Sequence, residues 1–264
     1  MKLSRRRFCL SLSALVASGC RHKPPSLSPI PPGPVTLGWR CVPGMELSYR
    51  TVVLRRTQGV TVTRAEEWTY LVQELDNDNI ATLSGHLTGF GAGAEVHDEP
   101  LPEAILADLR DEEESLANRE ATIRISMDGR LLWCSETDFA RSLPHRLLAL
   151  RLPTIPVVPH DEWSDPALTR LFASLLPLDL DIAVDGSARL MELHHHNEIT
   201  MATIETQGSV RTQPGGPSLF FTGSALWDAE RGIMAERTLE SRFQPTITDP
   251  VKNPGLLRLT LTLV

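Results

Sequence analysis

From residue 46 to the C-terminus the chain returns again and again to one pattern, an apolar/polar alternation of period two interrupted by turn clusters. The last instance is the cleanest: Leu257, Leu259, Leu261 and Leu263 alternate with Arg258, Thr260 and Thr262. Alternation of this kind puts the apolar side chains on one face of a strand, and so commits the chain to half-buried antiparallel sheet. Residues 46–56 and 60–74, rich in Thr, Val, Tyr and Trp, flank Gln58-Gly59 as a long hairpin. Asp76-Asn77-Asp78-Asn79 reads as a turn and 80–87 as the returning strand. Ala121, Ile123, Ile125 and Met127 alternate again before Asp128-Gly129 turns the chain into Leu131-Leu132-Trp133. Later strands are expected at 178–184, 187–193, 199–206, 219–227, 233–243 and 256–264.

Between these runs the period changes. Pro102 suits a first helical turn, and Ile105, Leu106, Leu109 and Leu116 form an apolar stripe, so 101–119 reads as a helix with Asp111–Glu114 on its wet face. A second helical stretch covers 136–150, broken or restarted at Pro144. Prolines 153, 156, 159 and 166 exclude regular structure over 152–166. Asp165 then caps a third helix, opened by Pro166 and carried by Leu168, Leu171, Phe172, Leu175 and Leu176. Gly89, Gly91 and Gly93 do not make a phosphate loop, because Ala94 takes the last glycine position and no Lys-Ser/Thr follows; a loop or bulge is expected. Glu74-Leu75 before Ile80 is echoed by Glu192-Leu193 before Ile199, and 125–131 by 225–233. The fold class expected is α+β, mostly antiparallel β. A curved or partly barrel-like sheet would form from two β-rich halves, 44–134 and 178–264, around a helical and proline-rich middle, 135–177, with two or three covering helices.

The N-terminus sets an address. Lys2, Arg5, Arg6 and Arg7 precede an apolar run over 8–17, far below the roughly 20 residues that span a bilayer. Ala17-Ser18-Gly19-Cys20 resembles the bacterial lipobox, which implies removal of residues 1–19 and acylation of Cys20. Ser4-Arg5-Arg6-Arg7-Phe8 resembles the twin-arginine export motif, with Arg5, Arg6 and Phe8 as its signal residues; a basic leader of the general secretory route reads equally well. Six prolines within 21–35 make a polyproline tether of roughly 45 Å. By resemblance to lipoprotein sorting signals, Arg21 in place of Asp favours the outer membrane over the inner. Pro156, Pro159, Asp161, Glu162 and Trp163, set between β-rich halves, resemble a broad group of uncharacterised bacterial envelope lipoproteins, which have no assigned catalytic residues. A curved sheet under helices is also similar to periplasmic lipoprotein carriers.

Without residues 1–19 the body holds 22 Lys and Arg against 33 Asp and Glu, a formal −11. That balance argues against nucleic acid and against electrostatic docking on anionic lipid, leaving acyl chains to hold the membrane. Cys41 and Cys134 remain in the body, where an oxidising compartment permits a disulfide and a core equally accepts two thiols. His194 and His196 share one side of a strand and, with Glu192 or Glu198, offer nitrogen and oxygen donors to a metal; the internal echo instead places them at a turn. His160-Asp161-Glu162 is an acid/base cluster or the polar edge of a turn in which Trp163 fills the core. Asp138 and Glu66-Glu67 read as surface acids. No partnered nucleophile and no Gly-x-Ser-x-Gly elbow accompany them. The sequence therefore reads as a lipid-anchored, non-enzymatic binding or assembly module of the bacterial envelope, with no cofactor beyond its own lipid and an envelope protein or apolar ligand as partner. A carrier of a lipid or apolar ligand, and a metal protein or metal-dependent enzyme using the histidines, are the alternatives.

Overall fold

The computed structural model describes residues 28–29, 33–57, 60–96, 119–137, 139–165, 183–196, 199–211, 218–244 and 255–264. Twelve strands and one helix lie among them. The strands are β1 (Ser28–Pro29), β2 (Glu46–Thr57), β3 (Val60–Leu75), β4 (Ile80–Val96), β5 (Glu120–Ser126), β6 (Leu131–Cys134) and β7 (Glu162–Ser164), then β8 (Ala183–His196), β9 (Ile199–Arg211), β10 (Ser218–Asp228), β11 (Ile233–Gln244) and β12 (Gly255–Leu263). The helix, α1, is Phe139–Arg146.

Each half of the chain folds as a five-stranded antiparallel meander, β2 to β6 and β8 to β12. The last strand joins them: β12 lies between β11 and β2, with Leu263 opposite Tyr49 and Leu256 opposite Arg56. Its alternation has the expected effect, since Leu259 and Leu261 are buried while Arg258 and Thr262 face solvent. The resulting sheet is open. Four-residue β6 ends it on one side, and at the other β1 and β7 cover separate parts of the outer edge of β8. Short edge strands leave few unpaired backbone groups to recruit another chain.

The glycine-rich segment after Gly85 takes the bulge of the two forms expected: it continues β4 to Val96, with a bulge opposite Glu67 and Trp68. Gly85 is required by packing, because a Cβ there would sit 2.8 Å from the Tyr70 ring. Two local expectations give way. Gly186 does not split β8, for it pairs with Gly208 inside one strand. The proline-rich stretch yields β7, whose three residues fall between Pro159 and Pro166 and are free to pair with Ser187–Arg189. One of the expected helices falls among the described residues. Only α1 is described; Pro144 lies within it and removes one backbone bond, and turns replace it after Arg146. The helices expected over 101–119 and from Pro166 lie outside the described residues, apart from Arg119, which is not helical.

One face of the sheet is filled by the chain itself. Residues 35–41 and 139–157 form a plug, bridged to each other at Val35 and Val157. Leu37, Trp39, Leu143, Leu147, Leu148, Leu150 and Leu152 are buried against Leu47, Tyr49, Trp68, Tyr70, Leu83, Ile123, Ile204 and Trp227. The plug shows that the sheet curls. Trp39 N–H donates to the Met127 carbonyl (2.8 Å), beyond β5, and the next residue's N–H donates to the Gly232 carbonyl (3.0 Å), before β11. A flat sheet would hold those turns five strand spacings, about 24 Å, apart. Consecutive residues, with Cα atoms about 3.8 Å apart, reach both only if the two meanders fold toward each other. The turns at Gly129 (φ 80°) and Gly232 (φ 64°), the two members of the internal echo, thus meet under one strap of chain.

Candidate functional site

The inner face has two ends of different character. At the plug end the sheet alternation brings Glu66, Trp68, Tyr70 and Val72 of β3 onto one side, all of them buried. Glu66 is thus not the surface acid expected: its carboxylate pairs with Arg64 and accepts from Trp68 Nε1 at 2.6 Å. Tyr70 Oη and His145 Nδ1 lie 2.7 Å apart. The His145 ring sits edge-on to Trp68 at 4.5 Å, and Arg119 stacks over the same indole at 5.4 Å. Arg119 is held by Glu136 (2.9 Å) and by the Arg141 carbonyl (2.6 Å). Burial, with the Arg119 charge adding to it, pulls the His145 pKa from 6.5 down to about 3, so the ring is neutral. Its Nδ1 therefore accepts from the tyrosine when the ring proton sits on Nε2, which has no partner among the described residues. Across the face, buried Arg237 donates through Nη1 to the carbonyls of Leu147 (2.8 Å) and Ala149 (2.6 Å) and so ties the plug to β11.

These groups are buried, and Arg119 and Arg237 bind carbonyls of the plug. The parity of the strands made two of them legible: Glu66 shares its face with Trp68 and Tyr70, and Arg237 shares its face with Leu239. His145 and its tyrosine carried no such signal, because 75 residues separate them.

Toward the opposite end the same face is less covered. Val53 of β2, Val62 of β3, Phe90 and Ala92 of β4 and Leu257 of β12 continue the inner rows by register, yet each keeps part of its surface exposed. The bulge in β4 matters here, for it turns Phe90 to the inner side, where its ring stacks under the Arg64 guanidinium at 5.6 Å. Arg55, exposed on the same side, stands between Leu257 and Val62 in the row. The result is a partly exposed apolar inner surface with Arg55 and Arg64 set among its side chains.

The residues singled out from sequence are dispersed. Glu192 and His194 do meet, with His194 Nε2 2.7 Å from Glu192 Oε2. His196 lies on β8 opposite Ile199, so the histidines occupy a strand and not the turn the internal echo placed there. Glu198 lies outside the described residues, among which no group of three or more His, Cys, Asp or Glu is arranged to hold a metal. Cys41 and Cys134 are free thiols, not a bridge. They lie on separate elements, the plug and β6, and burial pushes the Cys41 thiol up to about 11. The His160-Asp161-Glu162 cluster comes apart: Asp161 Oδ2 accepts from Val158 N–H (2.8 Å), and Glu162 pairs outward with Arg189 (2.7 Å). Trp163 packs on the core and donates to the Arg151 carbonyl (2.7 Å), as the turn reading expected. Arg5, Arg6, Phe8, Cys20 and Asp138 lie outside the described residues.

No protein-family model and no curated protein matches the chain. Among solved structures it is similar to one of lipid–protein interactions in lipovitellin, with a TM-score of 0.54 and 9% identity over 85% of this chain and 25% of that one. The likeness is one of fold, and this chain spans about a quarter of that protein's length. A match to DynF of the dynemicin biosynthesis pathway of Micromonospora chersina covers 90% of this chain and 86% of that one at 9% identity, and its TM-score of 0.20 carries no argument.

Proposed function

We propose that this chain is a membrane-tethered, non-enzymatic module of the bacterial envelope that carries an apolar ligand, an acyl chain or similar group, on the inner face of its sheet. One observation supports the reading above others. The inner rows are sealed by the plug at one end, while Val53, Val62, Phe90, Ala92 and Leu257 keep apolar surface exposed at the other. Apolar surface left exposed on the side a protein normally buries has a use in ligand or partner binding. Arg55, between Leu257 and Val62, suits an amphiphile with an anionic head, since a cation beside apolar surface satisfies both parts of such a molecule. The fold likeness to lipovitellin, studied for its lipid interactions, fits the same reading. The lipobox-like Ala17–Cys20 supplies the tether.

Residues 21–264, secreted behind a cleavable leader, provide the test. Native mass spectrometry is expected to find lipid carried through purification, and Val62→Glu to reduce its occupancy at least tenfold with the unfolding midpoint little changed. Lipid-free wild-type protein that also fails to bind a fluorescent fatty acid would sink the carrier reading.

A further inference from the structure

The outer face of the sheet holds a second concavity with different chemistry. A trough of about 460 Å³ runs across β8, β9, β10 and β11 and is walled at the sheet edge by Glu162 of β7. It continues through Ser187, Gln207 and Thr222 into a groove of about 290 Å³ toward Phe220. Register explains the hollow. Ser187, Gln207, Thr222 and Glu240 stand side by side across four strands, and Ser224 and Thr238 are paired in the next row. Short hydroxyl side chains make the floor, and longer charged ones rise at the rims.

Those rim charges are already spent. Arg189 meets Glu162 at 2.7 Å, and Glu240 meets Arg258 at 2.7 Å. Arg189 holds the Glu162 carboxyl below the ordinary carboxylate range, and Arg258 does the same for Glu240. What remains is a floor of neutral donors and acceptors with two further carboxylates, Glu205 and Asp185, Arg211 in the groove, and an exposed ring, Phe220, 46% accessible at the groove's end. A polar floor rejects an acyl chain, and Arg189, Arg242 and Arg258 beside it are already paired with Glu162 and Glu240, which leaves them poorly placed to take a phosphate. Hydroxyls, an amide and a carboxylate beside an aromatic ring instead match a ligand that presents many hydroxyls and an apolar C–H face.

We propose that this trough binds a neutral oligosaccharide, with Gln207, Thr222 and Glu205 contacting its hydroxyls and Phe220 packing on a sugar face. The proposal stands apart from the carrier reading, since it uses the opposite face of the sheet. The test is titration calorimetry of the full mature chain with chitotetraose and, separately, maltotetraose. Saturable binding of either sugar, weakened at least tenfold by Thr222→Arg with the unfolding midpoint retained, is the expected result. Gln207→Arg fills the same trough from the neighbouring strand and replaces Thr222→Arg if that variant misfolds. Absence of saturable binding to both sugars, or an affinity indifferent to the folded variant, overturns the proposal.

Discussion

Buried His145 makes this protein sensitive to acid. Its ring is neutral in the fold, with a pKa near 3 against 6.5 when exposed. Unfolded chain takes up the proton as pH falls through 6.5, and folded chain cannot follow until about 3. The stability from this group is therefore present above pH 6.5 and drains away below it, by up to about 1.4 kcal/mol per pH unit. Urea denaturation at pH 7, 6, 5 and 4 should show a falling midpoint, and His145→Gln should flatten its share of that slope while lowering the pH 7 value. An unchanged slope in the variant would show that the ring is not desolvated. Glu66 carries the complementary lesson. Reading Glu66-Glu67 as a surface pair ignored parity, although Trp68, Tyr70 and Val72 already marked the face that Glu66 shares. A carboxylate on an apolar face needs a cation, and Arg64, two residues earlier on the same face, provides it.

At the scale of elements, the strands were legible and the plug was not. Period-two alternation depends only on a strand's own side chains, so β2, β3, β5, β10, β11 and β12 fall close to where the pattern placed them. Residues 35–41, by contrast, read as the end of a tether and its sequel, and nothing local says that they lie across a sheet. Their backbone bonds to the Met127 and Gly232 carbonyls depend on turns far away in sequence. The turn glycines make the arrangement testable. Gly129 has φ 80°, and a Cβ there would collide with the Leu150 carbonyl of the plug. Gly129→Ala is expected to cost about 2 kcal/mol or more in chemical denaturation. Gly33→Ala, where a Cβ meets nothing within 4 Å, is expected to cost almost nothing. Equal stability of the two variants would mean that the plug does not press on the turn as described.

For the whole molecule, the edge of the sheet shortens the expected tether. Ser28–Pro29 pair with His194–His195, so pairing begins well before the end of the expected 21–35 tether. Only residues 21–27 separate Cys20 from the sheet, a reach of at most about 25 Å where 45 Å was expected. With lipid on Cys20 the body stands close to its bilayer; Cys20→Ala should abolish labelling by palmitate and release the protein from washed membranes. Retention of the variant on membranes would place the anchor elsewhere. The amino-acid order by itself determined most of the strands, their turns and the acidic balance, because each is written in neighbouring residues. Only the tertiary structure decided that the two meanders curl, that a strap of chain fills one end of their inner face, and that Glu66, His145 and Arg237 are sealed beneath it. Those outcomes depend on contacts between distant segments, Arg40 with Glu230 being 190 residues apart, whose energies arise only when the surfaces meet and water leaves.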